Sequence, residues 1–411
     1  MAAHDSSTET ATNGGGTENG PSDSCCDQAK AKALVMPLIS DMHAHLRQGE
    51  MAEFVTPMIK PGGCRRVLVM PNTVPPITTC AQAAAYREKL VKLDPGVDYL
   101  MTLFLSPEVS VDDLRRNAKA CRVVGVKSYP KGVTTNSDQG VESYEQYYAL
   151  FEAIEELGLT LHLHGEVPGV APLDAEEAFL PFFQQVHSKF PSLKIVLEHV
   201  STAAAIQAVK RMPPNVGATI TPHHLMLTVD DVMKEETIRM ATEAGAHRGL
   251  CCAETVEKPH NFCKPLAKMK EDREALRQVI REGDRHFFLG SDSAPHPRIA
   301  KETSPPAAGV FTQPLLLAYL ASIFAELGCI SNLRKFADGN AAAFFGFEAA
   351  TLEDNVECAL IKPTPQTVPS IFTFPNHQNE GVVPFMASHE LPYTVQVQRF
   401  NLSLLKECDE I

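Results

Sequence analysis

Two histidines one residue apart, His43 and His45 in "DMHAHLR", follow the apolar run "LVMPLIS". On an extended strand residues i and i+2 share a face, so both imidazoles can point to one side. Such a pair is either an ordinary polar strand end or half of a metal site. Further ligand-type residues in matching places decide between the two. The run "RVLVMPN" ends in Asn72, "VVGVKSY" carries Lys127, "LTLHLHG" carries His164, "KIVLEHV" holds His199 and "FFLGSD" ends in Asp292. A single strand-end histidine is more often a hydrogen-bonded structural residue than a ligand. Four histidines, a lysine and an aspartate, all at the C-terminal ends of apolar runs, point instead to a metal centre. Imidazole and carboxylate ligands suit zinc.

Lys127 fits such a centre only in an altered form. An ammonium group has no lone pair and repels a metal ion. The residue could pair with a nearby acid. It could also be a Schiff-base amine activated by burial, which leaves the histidines unexplained. Alternatively, CO2 adds to the neutral amine and gives a carbamate, an oxygen-donor anion able to bridge two metals. With four histidines and one aspartate, the ligands then suffice for two metal ions.

These residues need a scaffold that gathers strand ends. Eight strand candidates run along the chain, at 34–43, 66–72, 98–105, 123–129, 159–165, 194–200, 217–222 and 287–292. They are rich in Val, Ile, Leu and Phe, as strands covered on both faces should be. Helical patterns separate most of them. In "ESYEQYYALFEAIEELG", Tyr144, Tyr147, Phe151 and Ile154 recur at helical spacing and Gly158 is a stop. Residues 79–93 and 271–283 behave alike. The pattern predicts an α/β fold, a (β/α)8 TIM barrel, with a doubly wound open sheet as the alternative. In such a barrel chemistry sits at the C-terminal ends of the strands. The long connection from Leu225 to Asp284 is expected to contain a substantial loop around "CCAETVEKPHNFCKP". We expect a disordered tail over 1–33, the barrel over 34–347, and over 348–411 a C-terminal appendage packed on the barrel.

Composition narrows the function. The chain has 411 residues, 44% of them hydrophobic, enough for a sizeable core. Its net charge of −13 disfavours nucleic acid and acidic membranes as partners but permits a local basic pocket for a small anion. Residues 1–29 contain no Lys or Arg and little that could form a core. They have neither the apolar stretch of a signal peptide nor the arginines of a transit peptide, so a cytoplasmic protein is expected. No apolar run reaches the roughly 18 residues of a membrane span. The eleven cysteines show no C-x-x-C spacing and read as mostly buried thiols.

The segments "DMHAHLR", "MPNT", "GVKSYP", "LHGE", "LEHV" and "LGSDSAPH" resemble the signatures of the dihydroorotase family, of the monofunctional bacterial and fungal type, in the amidohydrolase superfamily. The resemblance runs from about Pro37 to Pro314 and continues more weakly beyond. It implies reversible cyclisation of N-carbamoyl-L-aspartate to L-dihydroorotate, with two zinc ions per subunit. His43, His45 and Asp292 would hold one zinc, His164 and His199 the other, and a CO2-derived carbamate on Lys127 would bridge them. Asp292 would also carry the proton. Arg47, Asn72 and His296 would bind the substrate carboxylate, which suits a planar guanidinium. Thr134 and Thr135 would belong to a loop closing over the substrate, and the backbone at Ala308 and Lys264 would touch it. The resemblance also implies a homodimer. A hydantoinase or allantoinase would share the metal residues and differ in substrate contacts, and a metal-free scaffold protein is a further alternative. His162, His223 and His224 are read as structural.

Overall fold

The computed structural model describes residues 32–236, 238, 256–401, 403–404 and 408–411. The expected disordered tail lies outside the described residues except for its last two positions, as does the "CCAET" part of the expected loop. The first strand candidate splits in two. Strand β1 (Ala33–Pro37) ends at a proline, which has no N–H to donate. After Leu38 the chain starts again as β2 (Ile39–Ala44), with Ile39 N donating to Gly63 O at 2.9 Å.

Eight parallel strands pair in chain order: β2, β3 (Cys64–Val69), β4 (Asp98–Phe104), β5 (Val123–Ser128), β6 (Thr160–His164), β7 (Lys194–Glu198), β8 (Val216–Ile220) and β9 (Phe287–Leu289). This is the expected (β/α)8 barrel, not an open sheet. The first and last strands meet through a parallel bridge between Ala44 and Ser293. Two backbone bonds of 2.9 Å, Asp292 N to His43 O and His45 N to Ser293 O, flank that bridge. Closure of the barrel therefore fixes His43, His45 and Asp292 against one another.

The strands present two faces because their side chains alternate. Val67, Val69, Met101, Val126, Leu161, Leu163, Ile195 and Leu197 join the large core cluster that includes helix residues such as Leu90, Phe151 and Ile206. Met42, Leu68, Met70, Leu100, Val196 and Phe288 form a separate cluster with Ala341. Two residues beyond Met70, Val196 and Phe288, on the same strand face, lie Asn72, Glu198 and Gly290. The interior thus changes from apolar to polar toward the C-terminal strand ends. Between Asp41 and Ala44 the register slips: three steps on β2 oppose two on β3, from Val67 to Val69. Such a bulge re-aims side chains, and here Met42 joins the interior cluster while its neighbour His43 reaches the site. Gly290 has no alternative residue, since a Cβ there would lie 2.9 Å from the His43 Cβ and 2.7 Å from Thr219.

The connecting helices carry their own stop signals. Helix α1 (Cys80–Leu93) starts at a Thr79–Gln82 capping box. Helix α2 (Tyr148–Glu156) follows a short turn over 145–147 and buries Phe151 and Ile154. Helix α3 (Lys270–Glu282) ends at Gly283 with φ +65°. After the barrel, β10 (Glu357–Lys362) pairs antiparallel with β1 and with β11 (Thr394–Arg399), and β12 (Cys408–Glu410) pairs parallel with β1. Among the described residues no helix is long and apolar enough to cross a membrane.

Candidate active site

Six residues expected at strand ends converge. His43, His45, Lys127, His164, His199 and Asp292 each expose 8% or less of their surface, so water screens their charges poorly. The imidazoles form a row: ring centroids are 5.3 Å apart for His43 and His45, 5.0 Å for His43 and His199, and 4.7 Å for His199 and His164. Asp292 Oδ1 lies 3.4 Å from His43 Nε2 and 3.1 Å from His45 Nε2. These three donor atoms lie within 4.8 Å of one another, close enough for one cation. Both His199 (φ +40°) and Asp292 (φ +46°) sit in the left-handed region, and so does Arg47 (φ +59°). Non-glycine residues adopt it only where the surroundings impose it, and they cluster at functional sites.

Hydrogen bonds hold three of the four imidazole rings. His43 Nδ1 bonds Glu198 Oε2 at 2.9 Å, and His45 Nδ1 bonds the Asn72 carbonyl at 2.7 Å. A carboxylate or carbonyl only accepts, so both rings carry the proton on Nδ1 and turn a bare Nε2 toward Asp292. His164 Nε2 bonds Glu166 at 2.6 Å. His199 is placed through its backbone, its N–H donating to Thr219 Oγ1 at 2.6 Å. Thr219 in turn donates to Glu198 Oε2 at 2.6 Å, and Glu198 Oε1 accepts from His162 Nδ1 at the same distance. Burial would raise the Glu198 carboxyl, but His43 and His162 hold it well below the ordinary carboxylate range. His162 is thus paired through Nδ1, while its buried Nε2 has no hydrogen-bond partner among the described residues.

A metal fits this donor set. His43 Nε2, His199 Nδ1 and Lys127 Nζ are buried with no hydrogen-bond partner. Burial would raise the Asp292 carboxyl, yet the neighbouring imidazoles of His45 and His43 hold it well below the usual range. Burial lowers Lys127 from 10.5 to about 8, opposed by Glu198 and Asp292. The buried amine therefore gives up its proton far more readily near neutral pH than a solvated lysine does. A second trio, His223, His224 and Cys263, also gathers three donor atoms. There His224 is already bonded to Thr221 Oγ1 and Pro265 O, at 2.9 and 3.0 Å.

A narrow cleft opens over His43, His45, His164, His199 and Asp292 and is lined also by Arg47, Asn72, Tyr129, Thr134, Thr135, Lys264 and Ala308. Arg47 Nε donates to Pro295 O at 3.0 Å, and its terminal nitrogen lies 3.0 Å from His296 Nε2. His296 Nε2 also lies 2.9 Å from Ala308 O. One imidazole nitrogen cannot accept from Arg47 and donate to Ala308 at once. When it donates to Ala308, the Arg47 terminus is left for an incoming acceptor.

The loop after β5 spans the cavity. Asn72 Nδ2 donates to Thr135 O and Asn136 Nδ2 to Asn72 O, both at 3.0 Å. Lys264 Nζ donates to Val133 O, and Thr135 Oγ1 lies 3.5 Å from Ala308 O. Asn72, expected at the substrate, thus has its side chain engaged with His45 and the loop. Thr134 is tied through its backbone to Ser137. Lys264 lines the cavity, and its ammonium is spent on the loop at Val133 O. Sequence reading overlooked Glu198, Asp41, Thr219 and Lys301. Asp41 accepts from Ser291 N and Oγ, at 2.8 and 2.6 Å, behind His43. The available signal was an acid inside a buried strand, two residues beyond an inward-facing valine in the case of Glu198.

A family model described as amidohydrolase matches residues 41–347. A dihydroorotase from Mycosarcoma maydis is 38% identical over 410 residues, covering 88% of this chain and 98% of that protein. The crystal structure of dihydroorotase from Saccharomyces cerevisiae in complex with 5-fluoroorotic acid superposes with a TM-score of 0.79. It is 35% identical, over 90% of this chain and 100% of that one. An L-hydantoinase from Arthrobacter aurescens shares the fold alone, with a TM-score of 0.69 and 17% identity over 88% of this chain and 84% of that one.

Proposed function

The chain belongs to the dihydroorotase family of amidohydrolases, and from that premise we propose that it interconverts N-carbamoyl-L-aspartate and L-dihydroorotate, the third step of de novo pyrimidine synthesis. The observation that carries this reading is the presence of Arg47 in the same small cavity as the imidazole and carboxylate set. A cyclic amide with a free carboxylate needs a cationic, bidentate partner beside the reacting centre. A hydantoin or allantoin ring has no such carboxylate.

Two zinc ions would be held by His43, His45 and Asp292 on one side and by His164 and His199 on the other, with a carbamate on Lys127 between them. When bound, they supply Lewis acidity at the amide carbonyl and a water acidic enough to react near neutral pH. The buried amine of Lys127, partly neutral near pH 8, is what CO2 requires. Glu198 and Asn72 hold His43 and His45 in the tautomer that leaves Nε2 free. Arg47 would grip the substrate carboxylate with the nitrogen now near His296. In the synthetic direction the ureido nitrogen attacks the side-chain carboxyl carbon, a C–O bond breaks, and the oxygen departs as water after taking one proton from the nitrogen and one from solvent. Asp292, kept ionised by its neighbours, takes the nitrogen's proton and returns it to the departing oxygen. In hydrolysis it delivers a proton to the leaving ring nitrogen. The loop over 131–140, pinned to Asn72 and Lys264, excludes bulk water from these transfers.

A homodimer, implied by the family resemblance, and a cytoplasmic location complete the proposal; light scattering on the purified protein tests the dimer. The activity is tested by assaying the zinc-loaded protein on dihydroorotate, hydantoin and allantoin. Turnover of dihydroorotate is expected, and activity on the other two alone overturns the reading.

A further inference from the structure

We propose that Lys301 is a positioning residue that makes the site select anionic substrates, an inference that rests on the dihydroorotate reading above. Lys301 closes the four-residue helix Arg298–Lys301 and exposes 4% of its surface. Its ammonium donates to Phe262 O and Ala307 O, both at 2.9 Å, and to Gly309 O at 2.6 Å. All three of its N–H groups are thereby used on backbone carbonyls.

These carbonyls belong to the two chain segments that contribute Lys264, Ala308 and Gly309 to the cavity lining. Lys264 lies two residues beyond Phe262, and Ala308 lies between the other two. Gly309 N also donates to Phe262 O at 2.9 Å, which ties the segments together. With the carbonyls of 307 and 309 turned to Lys301, the carbonyl between them, Ala308 O, faces His296 and Thr135. The geometry needs glycine at 309, where φ is +151° and a Cβ would lie 2.3 Å from Ala294 O.

The charge has a second consequence. Among the described residues no carboxylate pairs with Lys301, so its buried ammonium has carbonyl acceptors but no counter-ion, and that is costly. Its positive charge is felt at His296 and at Arg47, the groups proposed to receive the substrate carboxylate. Burial lowers Lys301 from 10.5 to about 7, but only the ammonium form can satisfy its three carbonyl acceptors, and that geometry favours the cation. A substrate carboxylate supplies the missing negative charge. The segment fixed by Lys301 and the field of Lys301 therefore act on the same part of the substrate, away from the reacting bond.

Lys301→Met and Lys301→Gln, assayed as zinc-loaded full-length enzymes with dihydroorotate, separate this role from general support of the fold. Removing the charge should raise KM at least tenfold while kcat stays within threefold of wild type. Gln, which retains an amide donor, should fall between Met and wild type, and it keeps the test available if the Met variant does not fold. A KM within threefold of wild type, or a loss confined to kcat, overturns the proposal. Failure of the wild-type enzyme to turn over dihydroorotate would instead sink the reading on which it rests.

Discussion

Glu198 never touches the cavity, yet replacing it by glutamine should weaken the metal centre. Its carboxylate accepts from His43 Nδ1, His162 Nδ1 and Thr219 Oγ1, at 2.9, 2.6 and 2.6 Å. Glutamine keeps the shape but has one carbonyl oxygen and an amide that only donates. With the carbonyl set toward His43 and Thr219, the amide faces His162, which can move its proton to the partnerless Nε2 and accept. Two bonds survive, each reduced from a charged to a neutral acceptor. Such a change is worth roughly 1 kcal/mol per bond, about 2 kcal/mol in all. That corresponds to about 30-fold in affinity, within the range known for groups that orient metal-bound histidines. Chelator competition should therefore show Glu198→Gln binding zinc about 30-fold more weakly, with turnover recovering in excess zinc. Wild-type zinc affinity, within threefold, would refute the idea that Glu198 sets the His43 tautomer.

Other consequences follow from the same geometry. Arg47→Lys should raise KM for dihydroorotate roughly 30-fold or more with a smaller effect on kcat, because an ammonium cannot replace a bidentate guanidinium worth about 2 kcal/mol or more to a carboxylate; an unchanged KM removes Arg47 from carboxylate binding. Asn72→Ala should lower zinc affinity about 10- to 100-fold and, by freeing Thr135 and Asn136, speed proteolysis of the loop over 131–140. Retention of both properties would show that Asn72 orients neither His45 nor the loop. His224 is buried, and burial lowers it from 6.5 to about 4. The unfolded chain then binds the extra proton first, so this contribution is complete above about pH 6.5 and is lost as pH falls toward 4. The loss is roughly 3 kcal/mol. Thermal unfolding of the metal-free protein should show that decline, and His224→Gln should flatten it; an equal slope in both proteins counts against the buried neutral imidazole.

The barrel was legible because strands covered on both faces are short, apolar and separated by helical periodicity. Its boundaries were less so. The run 34–43 looks like one strand, and only pairing of Ala33–Pro37 with Glu357–Lys362 reveals two. The metal-type residues were visible because strand ends meet in a barrel whatever their separation in sequence. His45 and Asp292 are 247 positions apart and 3.1 Å apart in space. The groups behind them were hidden for the opposite reason. Glu198 and Asp41 sit inside apolar strands, where a lone acid gives no hint of which imidazole or hydroxyl it will meet. Lys301 lies in a short helix, and its partners are backbone carbonyls, which sequence cannot distinguish. Asn72 was recognised by its strand-end position, but a residue type does not reveal whether its amide faces a ligand, a histidine or a loop.

The central claim is that Lys127 becomes an anionic ligand within a two-zinc site. Its most direct test is the zinc content and turnover of Lys127→Ala, with and without a short carboxylic acid. We predict less than the full complement of two zinc ions, loss of turnover by several orders of magnitude, and partial recovery of both when the acid fills the space left by the side chain. Two bound zinc ions and wild-type turnover in the unsupplemented variant would contradict the account.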